Sequence, residues 1–284
     1  MIESKTINFC LFRYHLNPIE SNSAQLELFD GVKLSPKLIK EKKNEFFEKV
    51  ILEKLSLGTA SNPMELFDQS GNYFLIKIAN PKKTKIVKNF KESVFEHEPY
   101  VYVIINNDKN IQKIAISQNS EAFYAVDAAK NVLFKVLNRE LKKYGLNVEI
   151  EKLFDVRDFW TYVDDHRHEI KKIEFEFIKP NLASISKVIP EAFRKLQEKT
   201  NAHKAKVAIE APDHGVLEEI NRSNKEISGM VEYSSEGGGN IKMKIKGLKR
   251  IINTEEKPVI LQIREIDLEG APDQLIKIYK EIVE

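Results

Sequence analysis

The sequence predicts an α+β protein: two mixed α/β domains with predominantly antiparallel sheets, and one βαβ unit in the C-terminal half. Three observations carry this. Short apolar or alternating runs bounded by turn residues recur at residues 73–79, 100–106 and 173–177, the pattern of strands buried on one face or both. Residues 121–144 repeat apolar positions at helical spacing. A chain of 284 residues with 42% hydrophobic content is long enough for two cores rather than one.

Taken in order, residues 6–14 read as a strand through Ile7, Phe9 and Leu11, bounded downstream by Pro18. Residues 21–36 lack a sustained period and suit a surface connection. Ile39, Phe46, Phe47, Val50 and Leu55 approximate one face of a helix over 38–57, with Gly58 as its stop. Strands at 73–79, 100–106 and 111–117 follow, the last two joined across Asn107, Asp108, Lys109 and Asn110 as a hairpin. The helix over 121–144 has Ser120 as its expected N-cap, Phe123, Val126, Leu133, Leu137 and Leu141 along its apolar face, and Gly145 to close it. Its polar face carries Lys130, Lys135, Arg139, Lys142 and Lys143, a pattern that a solvated face explains.

After a short strand at 147–151, residues 155–168 mix aromatic and charged side chains and read as a polar connector. The expected boundary falls there, giving domains 1–160 and 161–284. Ile173, Phe175 and Phe177 alternate with Glu174 and Glu176 up to Pro180; Ile185, Val188, Ile189, Phe193 and Leu196 form a helical stripe broken at Pro190; Val207 and Ile209 mark another strand. Strand, helix and strand in this order suggest a right-handed βαβ unit. The remainder comprises 226–233, a basic strand at 241–246, 258–266 and a terminal helix over 272–283. No fixed-period repeat and no low-complexity tract is visible.

The basic strand is the most informative stretch. Ile241, Met243 and Ile245 alternate with Lys242, Lys244 and Lys246, which puts the ammonium groups on one sheet face. Gly237, Gly238, Gly239 and Asn240 precede it and suit a tight reversal, so a cationic hairpin is expected. With Lys249 and Arg250 it offers a polyanion several contacts. A second cluster comprises Lys82, Lys83, Lys85, Lys88 and Lys91, and a third Lys37, Lys40, Lys42 and Lys43. Since 45 Lys and Arg face 43 Asp and Glu, net +2, nucleic-acid affinity must come from such local clustering. If the 242–250 cluster met three to five phosphates, the salt slope would be roughly −3 to −4.5. Lysine in place of arginine argues against base-specific reading. Edge lysines also guard a strand against pairing with other chains, and a protein or lipid partner is a third reading of the same residues.

Other chemistries find little support. Asp164, Asp165, His166, His168 and Glu169 include metal-ligand residue types, but histidines at i and i+2 point about 200° apart on a helix, and no second pair has ligand spacing. Cys10, the single cysteine, lies in an apolar strand, where a thiol is usually inert, and it excludes an intramolecular disulfide. His203 and His214 flank a strand without a nucleophile to serve, and neither a nucleophile elbow nor a phosphate-binding loop is present. No catalytic set and no cofactor is therefore expected. The N-terminus lacks a secretory pattern and no apolar run approaches about 20 residues, so a soluble cytoplasmic protein is expected.

The second half also resembles a family. A short strand at 148–153, a connector with His166 and His168, the run KKIEFEFIKP, a helix over 184–199, the strand KVAIEAP and a glycine-turned hairpin follow one another as in the Rex A phage-exclusion proteins and related bacterial phage-defence proteins. The likeness covers residues 146–270 and is one of element order and size. It implies a cytoplasmic, dimer-forming α+β protein that binds DNA without sequence preference and acts in abortive infection. It further implies a second protein of the same operon, membrane-bound in one version, as partner. No site residue carries over from it. The stretch up to Lys91 departs from that pattern. The expected function is thus a non-sequence-specific DNA-binding component of anti-phage defence. The alternatives are a metal-dependent nuclease using Asp164 and Asp165, and an interaction scaffold in a defence complex.

Overall fold

A computed structural model of the protein describes residues 6–19, 35–55, 58–179, 191–200, 202–264, 268 and 272–283. It is an α+β fold with mostly antiparallel sheets. The chain forms two compact units, one of Met1–Cys10, Pro18–Glu149 and Ile260–Glu284, the other of Leu11–Asn17 and Ile150–Val259. Set beside the division into 1–160 and 161–284, residues 150–160 fall in the second unit and 260–284 return to the first. No helix among the described residues is long and apolar enough to cross a membrane.

β1 (Thr6–Pro18), whose residues Leu11–Asn17 belong to the second unit, lies with the first unit's β2 (Met64–Ser70), β3 (Tyr73–Ala79), β6 (Tyr100–Asn106), β7 (Lys113–Ser117) and β13 (Ile260–Arg264) in the order β13-β1-β7-β6-β3-β2. The β6 residues after Tyr100 are all buried, so their continuous apolar run marks a strand covered on both faces. α1 (Pro36–Lys54) starts where Ser35 Oγ accepts a hydrogen bond from the Leu38 N–H at 3.2 Å and Pro36 enters the first turn. α2 (Val126–Leu141) begins later than residue 121, and Ser120 does not cap it. Asn119 pre-empts that turn: its side chain accepts from the Glu121 N–H at 3.0 Å and its carbonyl from Ala122 and Phe123. Such local side-chain bonds compete with helix.

Three strands of this unit were not expected: β2, and the pair that follows β3. β4 (Lys82–Lys88) and β5 (Lys91–His97) form a separate two-stranded ribbon. The ribbon extends the β3–β6 hairpin: Ala79 pairs with Tyr100, and the Asn80 N–H donates to the Pro99 carbonyl at 2.9 Å. At about 3.4 Å per residue it is roughly 24 Å long. Nearly every residue of it is exposed, so it has no burial period to read.

β8 (Leu146–Lys152) runs through the change of unit. In the second unit α3 (Val156–Asp165), β9 (Ile170–Ile178), α4 (Glu191–Thr200), β10 (Lys204–Glu210), α5 (Lys225–Tyr233), β11 (Gly239–Ile245) and β12 (Ile252–Asn253) build a sheet in the order β10-β9-β11-β12. Its inner face carries Ile173, Phe175 and Phe177 of β9 and Ile241, Met243 and Ile245 of β11, packed against Phe159, Trp160 and Val163 of α3 and Ile227, Met230 and Val231 of α5. The supposed connector therefore holds a core helix. Asp155 caps it, accepting from the Arg157 N–H at 2.7 Å, and aromatic residues a turn apart supply its buried face.

Two expectations need correction here, and two others fall outside the described residues. The strand, helix and strand order of β9, α4 and β10 exists, but the strands pair antiparallel, Val207 opposite Phe175 and Ile209 opposite Ile173, so this is not a βαβ unit. The helical stripe at Ile185, Val188 and Ile189, with Pro180 and Pro190, lies outside the described residues, as does nearly all of the 21–36 connection. The triple glycine does not turn a hairpin: it joins α5 to β11. Gly239, at φ +150, lies so close to β9 that a Cβ would sit 1.8 Å from the Glu176 carbonyl oxygen. Glycine there allows backbone to approach backbone.

Candidate nucleic-acid interface

The fold sorts the basic residues into two settings. On β11, Ile241, Met243 and Ile245 are buried and Lys242 and Lys244 point the other way, as alternation requires, while Lys246 lies exposed in the turn just after the strand. The strand is not an edge, since β9 flanks it along its length and β12 pairs at Lys242 and Met243. Edge protection therefore does not account for Lys242. The face of Lys242 and Lys244 is mixed in sign, because Lys242 stands opposite Glu174 and Lys244 opposite Lys172 in register. Beyond β9, Lys206 pairs with Glu176 at 2.9 Å and Glu174 at 3.6 Å, Lys204 with Glu176 at 3.4 Å, and Lys172 with Glu210 at 3.1 Å. Burial pushes the Glu176 carboxyl up, but Lys206 and Lys204 together hold it below its usual range. Lys249 and Arg250 are exposed beyond the strand, and Arg250 faces Glu256 at 3.7 Å. Arg250 also borders a cavity of about 110 Å³ with Phe154, Phe159, Met243 and Ile252 in its wall.

On the β4–β5 ribbon the register decides which cations are neutralised. Residues directly opposite share a face, and faces alternate along each strand. One face thus carries Lys83 opposite Glu96, Lys85 opposite Val94 and Val87 opposite Glu92. Lys83 Nζ lies 2.5 Å from Glu96 and Lys85 Nζ 3.5 Å from Glu92. The hydrogen bond and charge of each partner raise Lys83 above, and hold Glu96 below, its ordinary value. The other face carries Lys82 opposite His97, Thr84 opposite Phe95, Ile86 opposite Ser93 and Lys88 opposite Lys91. It contains no carboxylate. Among the described residues Lys82, Lys88 and Lys91 have no ion-pair partner, while Thr84 Oγ1 lies 3.1 Å from His97 Nε2. Ile86 and Phe95 stay about half exposed between the cations.

In the third cluster Lys37, Lys40 and Lys42 lie on a solvated helix face and Lys43 is half-buried. Lys37 lies 4.0 Å from Glu41 and Lys42 lies 3.0 Å from Glu45, while burial, aided by Lys40, lowers half-buried Lys43 to about 8. The acid and histidine group at the end of α3 does not converge either. His166 Nδ1 lies 2.7 Å from Glu169 and Arg167 lies 3.3 Å from Asp164, and among the described residues no three His, Cys, Asp or Glu side chains could hold a metal ion. Cys10 is buried, its sulfur 3.4 Å from Gln118 Nε2.

Of the sequence-selected residues, the structure thus places Lys82, at the base of the ribbon, and Lys88 and Lys91, at its tip, on one carboxylate-free face. It commits Lys83 and Lys85 to carboxylates and spreads Lys242, Lys244, Lys246, Lys249 and Arg250 over a mixed surface and the strand's end. Phe90 and Phe95 escaped notice, although aromatic residues interleaved with lysine were a visible signal. Compared with models of protein families and with curated proteins, the chain has no match.

Proposed function

We propose that this protein binds nucleic acid, DNA without sequence preference, and that the carboxylate-free face of the β4–β5 ribbon makes the principal contact. The observation that carries the reading is the asymmetry of the ribbon: Lys82, Lys88 and Lys91 are open on one face while Lys83 and Lys85 are ion-paired on the other. Exposed ammonium groups bind phosphate by releasing counterions, and lysine does so without reading bases. Lys244 and Lys246, exposed and without an ion pair among the described residues, supply further phosphate contacts. The setting suggested by the resemblance to Rex A proteins is anti-phage defence by a homo-oligomer with an operon-encoded partner.

The test is a salt titration of binding to a labelled mixed-sequence duplex. Each lost phosphate contact flattens the slope by about 0.9, so Lys82→Gln, Lys88→Gln, Lys91→Gln together flatten it by about 2.7. An unchanged slope in that triple variant, or no salt-dependent binding by the unaltered protein, overturns the proposal.

A further inference from the structure

The tip of the ribbon breaks a rule of turn chemistry. Asn89 and Phe90 form a two-residue connection between Lys88 and Lys91, and both have positive φ, +52 and +62. A hairpin turn of this geometry favours Asn followed by Gly, because a Cβ is disfavoured in the left-handed region. Asn89 fits. Phe90 does not, since a bulky aromatic residue at positive φ is an outlier. Nothing in the fold offsets the strain, because Phe90 is fully exposed, at 104% of its reference accessibility. A strained residue without packing return points to function rather than to the fold.

Its neighbours say what it meets. Lys88 and Lys91 stand opposite each other beside the turn, on the face that bears no carboxylate. Cations attract a polyanion, whereas an exposed aromatic ring needs an apolar partner, and duplex DNA offers both in its phosphates and its stacked bases. Architectural proteins use such apolar side chains as wedges between base steps, kinking the duplex. A two-stranded ribbon is also narrow enough for a groove of DNA. We propose that Phe90 is a wedge that unstacks one base step of duplex DNA and bends it. This rests on the DNA-binding reading above, which supplies the approach of the ribbon to phosphate.

The experiment uses the full chain and a short duplex carrying the fluorescent adenine analogue 2-aminopurine, with a donor and acceptor dye at its ends. Binding of the unaltered protein raises the emission of the analogue, as its base unstacks, and shortens the dye separation. In Phe90→Gly both signals disappear and affinity falls about tenfold, while the salt slope persists because the lysines remain. The urea midpoint of that variant equals or exceeds that of the unaltered protein, since Asn followed by Gly suits the turn. Retention of both optical signals in Phe90→Gly overturns the wedge. A larger affinity loss for single strands than for duplex also overturns it, assigning Phe90 to stacking on unpaired bases. If the Lys82, Lys88, Lys91 variant weakens binding but the unaltered protein never perturbs the analogue, the wedge fails and DNA binding stands. If that variant leaves the slope unchanged, the binding reading fails at its root.

Discussion

Removing two carboxylates from the ribbon should tighten DNA binding. Residues 82–97 carry five lysines and two glutamates, a net +3, and both glutamates pair with lysines of the same face. In Glu92→Gln, Glu96→Gln the ribbon rises to +5 and two ammonium groups become available. If both reach phosphate, the salt slope steepens by about 1.8 and affinity at 0.1 M salt rises by at most about 60-fold. The pairs are exposed, with side-chain accessibilities of 67–73%, so their loss has little effect on folding. Acid is no substitute for mutation, because Lys83 holds the Glu96 carboxyl below its ordinary range and the pair stays charged when mildly acidified. The assay is fluorescence anisotropy of a labelled duplex over a salt series, with Lys83→Gln, Lys85→Gln as the control of opposite sign. At about 0.1 M salt the screening length is about 10 Å, so a ribbon remote from DNA would change affinity little. An unchanged slope in the double glutamine variant would refute the idea that pairing with Glu92 and Glu96 is what withholds Lys83 and Lys85 from phosphate.

The fold makes further commitments. Gly239→Ala places a Cβ against the Glu176 carbonyl at positive φ, and backbone meeting backbone there should destabilise the second unit by more than about 3 kcal/mol, read as a fall in urea midpoint. Trp160 is the single tryptophan and is buried against Phe159 at a ring separation of 5.1 Å. Its emission should be blue-shifted in the native state and shift red as that unit unfolds; Phe177→Ala should bring that transition earlier by about 3–5 kcal/mol. Lys43 has its folded pKa lowered from 10.5 to about 8. The unfolded chain therefore binds more protons between those values, and stability should rise with pH across that window and carry the full penalty below it. Lys43→Met should flatten the rise and stabilise the protein at neutral pH by on the order of 1 kcal/mol, given partial solvation, as thermal melts at several pH values would show.

What the sequence makes legible here is burial. The strands at 73–79 and 100–106 have their expected bounds because an apolar run declares a buried strand directly. The alternation of Ile173, Phe175 and Phe177 likewise declared the inner face of β9. α3 was hidden because charged residues surround Phe159, Trp160 and Val163, so a narrow buried stripe looked like a mixed connector. The glycines before β11 were read as a reversal because their use, close approach to Glu176, depends on a strand more than sixty residues earlier.

The ribbon escaped notice for a different reason, and that reason bears on function. An element with almost no buried residue leaves no apolar period, and its turn was masked by Phe90 where glycine would have announced it. A basic run in a sequence states only how many cations there are. Pairing then sets their availability: antiparallel register brings Glu96 to Lys83 across thirteen residues and Lys91 to Lys88 across three. Five lysines that look equivalent in sequence become two that are neutralised and three that are open. The same operation on β11 places Lys242 beside Glu174, so the cluster that looked strongest in the sequence is diluted by its neighbours. Interaction with a polyanion depends on the charge left after such pairing, and by that measure the ribbon is the better candidate surface.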